Sequence, residues 1–187
     1  MDTFFQAIEP LVQLSPDGRQ ALSGIAERLE FPKNHQLIRQ DTVGQRIYFI
    51  ESGLARTYYY KDGKDITDWL SAEGDFVGSI VSFLSQRPDR RIVELLEPSR
   101  LWAFPYAKLE ILYDRHHEIE RLGRLLISQG VIQLQQRFDN LHFSTALERY
   151  QTLMRTNATL IQRVPLGMIA SYLGITQETL SRIRLHR

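Results

Sequence analysis

The sequence predicts an α+β protein that combines an antiparallel β jelly roll, a long dimerisation helix and a C-terminal helix-turn-helix. Three observations predict this fold class. Between about Phe31 and Phe104, short apolar runs alternate with turn signals, which is typical of a small antiparallel barrel or jelly roll. Residues 118–141 show helical periodicity with two apolar stripes. The stretch from Val164 to Arg184 resembles two short helices separated by one glycine.

Composition restricts the class of protein. The chain has 187 residues, of which 43% are hydrophobic, and it contains no cysteine. The lack of cysteine excludes disulfides, zinc ribbons and cysteine-ligated iron–sulfur clusters. No apolar run approaches the roughly 20 residues that span a bilayer, and the first residues do not resemble a signal peptide. We therefore expect a soluble cytoplasmic protein without a membrane partner.

Charge is distributed unevenly along the chain. From Leu147 onward, six arginines and two glutamates give a net charge of +4, against −3 for the other 146 residues. A cationic end on a mildly acidic body indicates two regions with different partners, of which nucleic acid is one candidate. Chance remains an alternative explanation for six arginines in 41 residues.

The N-terminal region predicts a helix that begins after Ser15, which would act as its cap, with Pro16 at the first helical position. One face carries Ala21, Leu22, Ile25, Ala26 and Leu29, so we expect the helix to continue until just before Pro32.

The barrel region contains one strong hairpin signal. Asp62-Gly63 separates the apolar runs Thr57–Tyr60 and Ile66–Leu70, and this dipeptide favours a two-residue turn between antiparallel strands. Further turn signals at Ser52-Gly53 and Glu73-Gly74-Asp75 bound neighbouring short strands.

After the barrel we predict a short helix at Tyr106–Asp114 and a long helix at Glu118–Leu141. The second helix has one stripe of Ile119, Leu122 and Leu126, and another of Ile127, Val131, Leu134, Phe138 and Leu141. Two stripes indicate packing against two neighbours, which we interpret as the chain's own barrel and a partner's helix. The residues assigned to the dimer interface are Ile119, Leu122, Gly123, Leu126, Gly130 and Gln133. The alternative is one helix buried inside a monomer.

A capping box at Thr145-x-x-Glu148 restarts a helix after the long one ends. This junction predicts a domain boundary. We divide the chain into a sensor domain with its N-terminal helix at 1–117, a dimerisation helix and hinge at 118–143, and a C-terminal domain at 144–187.

Gly174 interrupts an amphipathic stretch where glycine costs about 1 kcal/mol relative to alanine in a helix interior. We predict that it ends the first helix in the left-handed conformation and that Thr176 caps a second helix, Gln177–Arg187. Seven residues occupy the expected core and turn positions of a helix-turn-helix: Ile169, Ala170, Leu173, Gly174, Ile175, Leu180 and Ile183.

The outer face of the second helix is polar. Such a helix can enter the major groove of double-stranded DNA, with its first residues at base edges. The predicted DNA-binding residues are Thr176, Gln177, Glu178, Thr179, Ser181, Arg182 and Arg184. The alternative is a structural helical hairpin whose outer face is only solvated.

With these elements in order, the whole chain resembles the Crp/Fnr family of bacterial transcription regulators. Local matches are Tyr48-Phe49-Ile50-Glu51-Ser52-Gly53, Gly74-Asp75-Phe76-Val77-Gly78 and Thr176-Gln177-Glu178-Thr179-Leu180-Ser181-Arg182. The resemblance implies a cyclic-nucleotide-binding-like sensor and a homodimer on a pseudo-palindromic operator, with RNA polymerase as a further partner. Gln177 stands where the family usually has arginine. We expect the wing of a winged helix to be missing, because the sequence ends at Arg187.

The implied ligand site departs from members that bind cyclic AMP. Gly78-Ser79-Ile80 replaces their Gly-Glu-Leu, so the carboxylate for the ribose is absent, at a loss of roughly 1.5–3 kcal/mol. Arg90-Arg91 keeps an arginine where the family holds the cyclic phosphate. We assign Gly78, Ser79, Arg90 and Arg91 to an effector site of unknown ligand, and expect no cyclic nucleotide cofactor. Alternatively, both arginines lie on a solvated hairpin beside Asp89.

Other functions find little support in the sequence. A haem would need a ligand among His35, His116, His117 and His142, and nothing distinguishes one of them. A cupin-like enzyme needs a His-x-His on inward strands, whereas the barrel holds only His35. We expect no enzyme and no metal. The remaining rival is a ligand-sensing or protein-interaction module whose helix-turn-helix does not bind DNA.

Overall fold

The structure is a computed structural model that describes residues 1–185. Within this range, the strands are β1 (Glu27–Phe31), β2 (Gln36–Ile38), β3 (Arg46–Ser52), β4 (Ala55–Lys61), β5 (Lys64–Ser71), β6 (Phe76–Val77), β7 (Ile92–Leu95) and β8 (Ser99–Pro105). They form two four-stranded antiparallel sheets, with strand orders β1-β8-β3-β6 and β2-β7-β4-β5.

One apolar cluster joins the two sheets. Ile50 and Leu101 come from the first sheet and Val93 and Leu95 from the second, and all four are fully shielded from solvent. Because side chains alternate between the faces of a strand, this cluster marks the inner faces of a sandwich. The predicted antiparallel jelly roll is confirmed.

The hairpin prediction is also confirmed. Asp62 and Gly63 connect β4 to β5 with φ angles of 51° and 72°, and Lys61 pairs with Lys64 across the turn. Positive φ at both central residues defines the type of turn that suits the twist of two antiparallel strands.

The N-terminal region forms α1 (Asp2–Ile8) and α2 (Pro16–Ile25). The Ser15 hydroxyl accepts a hydrogen bond from the Gly18 N–H at 3.1 Å, which confirms the predicted cap. The predicted extent was wrong: Ala26 is already extended, and Leu29 lies in β1. Leu29 and Phe31 alternate with charged residues and pack against the sandwich core, so pairing with β8 prevails over helical periodicity.

The other helices are α3 (Ile80–Ser85), α4 (Tyr106–Arg115), α5 (His117–Phe143), α6 (Ala146–Thr156), α7 (Ala158–Arg163), α8 (Leu166–Leu173) and α9 (Gln177–Leu185). Both helices predicted after the barrel are confirmed as α4 and α5. The predicted end of the last helix at Arg187 lies outside the described residues. No helix within residues 1–185 is long and apolar enough to cross a membrane.

The first half of α5 packs inside its own chain. Ile119 and Leu122 are 1% and 4% exposed and belong to a core cluster with Phe4, Leu22 and Leu109. Their assignment to a dimer interface was therefore wrong, because the N-terminal helices and α4 already cover them.

The assignments of Gly123 and Leu126 to the dimer interface change for the same reason, because both residues pack against their own chain. A Cβ atom on Gly123 would lie 2.8 Å from the Tyr113 hydroxyl, so this glycine allows α4, not a partner, to approach closely. Leu126 is partly buried against the same cluster. Gly130 and Gln133, farther along α5, have no such cover: no heavy atom lies within 4 Å of a Cβ built on Gly130, and Gln133 is exposed.

The capping box is confirmed. The Thr145 hydroxyl accepts from the Glu148 N–H at 3.3 Å, and the Glu148 carboxylate accepts from the Thr145 N–H at 2.7 Å. These bonds start α6 directly after α5 ends. The domain limits drawn at residues 117 and 143 stay predictions.

Candidate nucleic-acid interface

The turn between α8 and α9 depends on Gly174. Its φ and ψ of 67° and 34° lie in the left-handed region that only glycine adopts easily. The Ile175 N–H donates to the Ala170 carbonyl at 3.0 Å, which closes the end of α8 as in a Schellman motif. A Cβ at this position would also lie 3.3 Å from a methyl group of Leu141. The predicted role of Gly174 as the turn is confirmed.

The start of α9 depends on Thr176. Its hydroxyl accepts from the Thr179 N–H at 3.2 Å, which is the geometry of an N-cap and confirms that prediction. The cap fixes the first turn of α9, which carries Gln177 and Glu178.

The predicted helix-turn-helix core is confirmed. Ile169, Ala170, Leu173 and Leu180 are at most 2% exposed. They pack with Tyr150 and other apolar residues of α6 and α7, and the other two apolar residues predicted for the core, Ile175 and Ile183, lie partly buried around them. Because α9 buries Leu180, its opposite face points outward.

That outer face is polar and accessible. Gln177, Glu178, Arg182 and Arg184 are exposed, Thr176 precedes them at the surface, and Thr179 and Ser181 are half-buried. The pKa of Glu178 is lowered, first by its own backbone N–H and then by the Thr176 hydroxyl, so the side chain is a carboxylate acceptor at neutral pH. Arg182 donates to the Thr179 hydroxyl at 3.4 Å. All seven predicted residues therefore lie along α9 or, for Thr176, directly before it, and five of them are exposed.

Ion pairs join this region to two loops of the jelly roll, and the sequence analysis missed them. Arg163, at the end of α7, donates to Glu73 at 2.8 Å and also to Glu97. Glu73 and Glu97 lie 90 and 66 positions from Arg163 in the sequence, so no short-range spacing predicts these ion pairs. The Arg163 hydrogen bond lowers the pKa of Glu73 to about 2, with the Gly53 N–H as a further cause.

The predicted effector site brings together two of its four residues. The Ser79 side chain is fully buried, and its hydroxyl bonds the Asp89 carboxylate at 2.5 Å. Arg91 reaches the same carboxylate at 3.3 Å and bonds Asp68 on β5 at 2.7 Å. Burial alone would raise the pKa of Asp89, but Ser79 and Arg91 lower it below its usual value.

The other two residues do not join this network. Arg90 is exposed, with its guanidinium 4.8 Å from the centre of the Tyr59 ring. Gly78 lies against Ile47, because a Cβ there would come within 2.8 Å of its terminal methyl. Of the two predicted arginines, only Arg91 joins this network, and the carboxylates of Asp68 and Asp89 already compensate its charge.

The second half of α5 exposes an apolar stripe. Val131, Leu134 and Phe138 are 60%, 51% and 53% exposed, and Leu141 is 39% exposed. They continue the spacing that begins at Ile127. Of the two predicted stripes, this outer one is the more exposed within residues 1–185, although a methyl group of Leu141 lies beside Gly174 at its end.

The histidines considered for haem have ordinary surroundings. His116 links the end of α4 to the start of α5, and His35 and His142 stack on Phe31 and Phe138. Among residues 1–185, no cluster of three or more histidine or acidic side chains could hold a metal ion.

Comparison with known proteins shows similarity in sequence and in fold. The family model of the cyclic nucleotide-binding domain matches residues 28–116. A "cAMP-dependent protein kinase regulatory subunit" from Debaryomyces hansenii is 30% identical over 96 residues, which are 51% of this chain but only 20% of that protein.

Solved structures extend the similarity to the whole fold. FixK2 from Bradyrhizobium japonicum has a TM-score of 0.74 at 20% identity, covering 87% of this chain and 84% of its own. The Catabolite Activator Protein of Thermus thermophilus has a TM-score of 0.59 at 22% identity, covering 98% and 85%. The c-di-GMP responsive regulator CLP of Xanthomonas campestris has 0.66 at 17%, covering 88% and 87%. Residues 28–116 are therefore similar to the cyclic nucleotide-binding domain, within a chain whose fold resembles that of Crp/Fnr transcriptional regulators.

Proposed function

We propose that this protein is a DNA-binding transcription regulator that works as a homodimer on a pseudo-palindromic operator. The observation that carries the proposal is the exposed polar face of α9, which lies directly above a buried helix-turn-helix core. Such a helix docks in the major groove with its N-terminal residues at base edges. A regulator that binds the bacterial chromosome would act in the cytoplasm, where RNA polymerase is a further partner.

The side chains on this face offer a mixed set of contacts. Gln177 can pair with adenine through two hydrogen bonds, and the Glu178 carboxylate can accept from the cytosine amino group. Arg182 suits guanine, while Arg184, farther along the helix, suits a phosphate. The hydroxyls of Thr176, Thr179 and Ser181 lie on the same end and can bind backbone phosphates.

A second copy of the chain is the occupant we propose for the outer stripe of α5. The stripe follows the 4-3-4-3 spacing of a two-helix seam, and about half of each side chain at Val131, Leu134 and Phe138 is open to solvent. Twofold pairing through these residues would present two α9 helices about one DNA turn apart, ~34 Å. A Leu134→Glu variant should sediment as a monomer, whereas a dimer of unchanged affinity would remove the stripe from the interface.

Cyclic nucleotides are poor candidates for the effector. Asp68 and Asp89 together carry one more negative charge than Arg91 supplies, so a ligand phosphate would enter a site that is already anionic. Ser79 also stands where a carboxylate would be needed for the ribose. We propose that any effector of this domain is not a cyclic nucleotide. Isothermal titration with cyclic AMP should show no heat of binding, and micromolar binding would contradict this point.

The proposed function is tested by titrating the purified protein with mixed genomic DNA at several salt concentrations. Phosphate contacts release counterions, so we expect affinity to fall steeply as salt rises. Binding that is absent at low salt would favour the alternative of a sensing or interaction module that no longer contacts DNA.

A further inference from the structure

Strand β5 ends its sheet with an unpaired edge, and Thr67 lies in the middle of that edge. Thr67 is opposite Tyr58 of β4 beside a shift in register and is only 1% exposed, and its N–H and carbonyl bond residues outside the sheet. Buried backbone groups without a partner are costly, so an edge of this kind must be satisfied by some other part of the molecule.

The helix-turn-helix supplies the first partner. The Thr67 N–H donates to the Ser171 hydroxyl at 2.9 Å, and that hydroxyl in turn approaches the Asp65 carbonyl at 3.5 Å. Ser171 belongs to α8, and α8 lies along β5. One side chain thus bridges two successive free groups of the edge strand.

The dimerisation helix supplies the second partner. Arg137 of α5 donates to the Thr67 carbonyl at 3.5 Å and to the Tyr172 carbonyl of α8 at 3.0 Å. Its guanidinium also lies 4.0 Å from the centre of the Tyr172 ring. Arg137 is therefore the point where the sensor sheet, the long helix and the helix-turn-helix meet.

The side chain of Thr67 is hydrogen-bonded as well. The Thr67 hydroxyl accepts from the buried Arg56 at 2.9 Å, and Arg56 is fixed in turn by Asp65 at 2.8 Å and Glu94 at 3.3 Å. The N–H, the carbonyl and the hydroxyl of Thr67 therefore all have hydrogen-bond partners.

We propose that Arg137 and Ser171 are positioning residues for DNA recognition: by satisfying the open edge of β5, they set the position of α8 and hence of α9. The proposal rests on the proposed function, since position matters only if α9 reads DNA. Two recognition helices must match two half-sites at a fixed spacing, so a helix-turn-helix held on the sheet binds better than a loose one.

The first test needs no DNA. Hydrogen–deuterium exchange of the full-length chain would compare the wild type with Arg137→Met, Arg137→Lys and Ser171→Ala. We expect the Thr67 amide to exchange about tenfold faster in the Met and Ala variants, with the Lys variant in between. Arg121→Met is the matched control, because Arg121 is an exposed arginine on the same helix, and it should leave this amide unchanged.

The second test uses a duplex recovered from genomic fragments by selection with the wild type. We expect Arg137→Met and Ser171→Ala to weaken binding to this duplex about tenfold, Arg137→Lys less, and Arg121→Met not at all. The melting temperature should stay within a few degrees of the wild type.

Three results would overturn the proposal: unchanged exchange at Thr67, tighter duplex binding by the loosened variants, or faster exchange throughout the chain, which would indicate general destabilisation. If the wild type binds no DNA, the proposed function fails, and the exchange comparison still decides whether these residues hold α8 on the sheet.

Discussion

Two arginines of the jelly roll, Arg56 and Arg91, differ in their surroundings from the two described arginines of α9. Arg56 and Arg91 each contact two carboxylates, whereas Arg182 and Arg184 have no carboxylate within ion-pair distance among residues 1–185. A compensated cation holds its own fold together and offers little to an external anion. An uncompensated cation on an exposed face is available for a polyanion such as DNA. The difference supports our proposal that α9, and not the network around Arg91, binds an external polyanion.

The largest effect on stability is expected when a residue on the buried face of α9 is truncated, compared with a residue on its exposed face. Leu180 is 0% exposed, so Leu180→Ala should lower the free energy of unfolding by about 2–5 kcal/mol, through lost burial and a cavity. Urea denaturation measures this change. Leu185, 80% exposed on the same helix, provides the control, and Leu185→Ala should change stability by less than about 0.5 kcal/mol. A mild effect at Leu180 would mean that α9 is not anchored as described.

The comparison of arginines is tested next by Arg182→Ala. We expect specific DNA binding to weaken by about 1–3 kcal/mol if this side chain reads a guanine, with unchanged thermal stability. Fluorescence anisotropy with a labelled duplex gives the dissociation constant. Arg90→Ala removes an exposed arginine of the sensor domain and serves as the control. Equal losses in both variants would show that charge alone, not its place on α9, determines binding.

A smaller effect should appear when the sensor site loses a compensating charge. Asp89→Asn weakens the acceptor for Ser79 and Arg91 and should lower the free energy of unfolding by about 1–3 kcal/mol, because buried polar groups lose their partner. The exposed Asp114→Asn is the control for chemical denaturation. Unchanged stability would place Asp89 outside the network that we describe.

The smallest effect concerns the ion pairs between Arg163 and two loops of the jelly roll. The pKa of Glu73 is about 2 in the folded chain against an ordinary 4.5, so its contribution is complete above pH 4.5 and is lost as pH falls towards 2. Because the Glu73 carboxylate is 43% exposed, we expect its ion pair to contribute less than about 1 kcal/mol to the free energy of unfolding. Glu73→Gln should flatten the pH dependence of unfolding between these limits. An identical profile in the variant would contradict the low pKa.

Local signals allowed the C-terminal elements to be predicted. Gly174, Thr176 and the Thr145–Glu148 box specify backbone geometry within a few residues, so their roles could be derived from spacing. The helix after Ser15 was predicted too long because Leu29 fits both a helical face and the strand that pairs with β8, and only the distant strand decides.

Long-range pairings could not be derived in the same way. Asp68, which compensates Arg91, lies 23 residues away on another strand, and Ser171 meets Thr67 across 104 residues. The two stripes of α5 were recognised, but which stripe faces the chain's own core depends on how α1, α2 and α4 pack against it. Ile119 and Leu122 were therefore assigned to the wrong neighbour.

The central claim, that α9 reads duplex DNA within a twofold-symmetric assembly, is tested most directly by selection of genomic fragments with the purified protein. The account predicts a pseudo-palindromic sequence whose half-sites lie about 34 Å apart, or roughly 10 base pairs. Recovered fragments that share no symmetric sequence would contradict it.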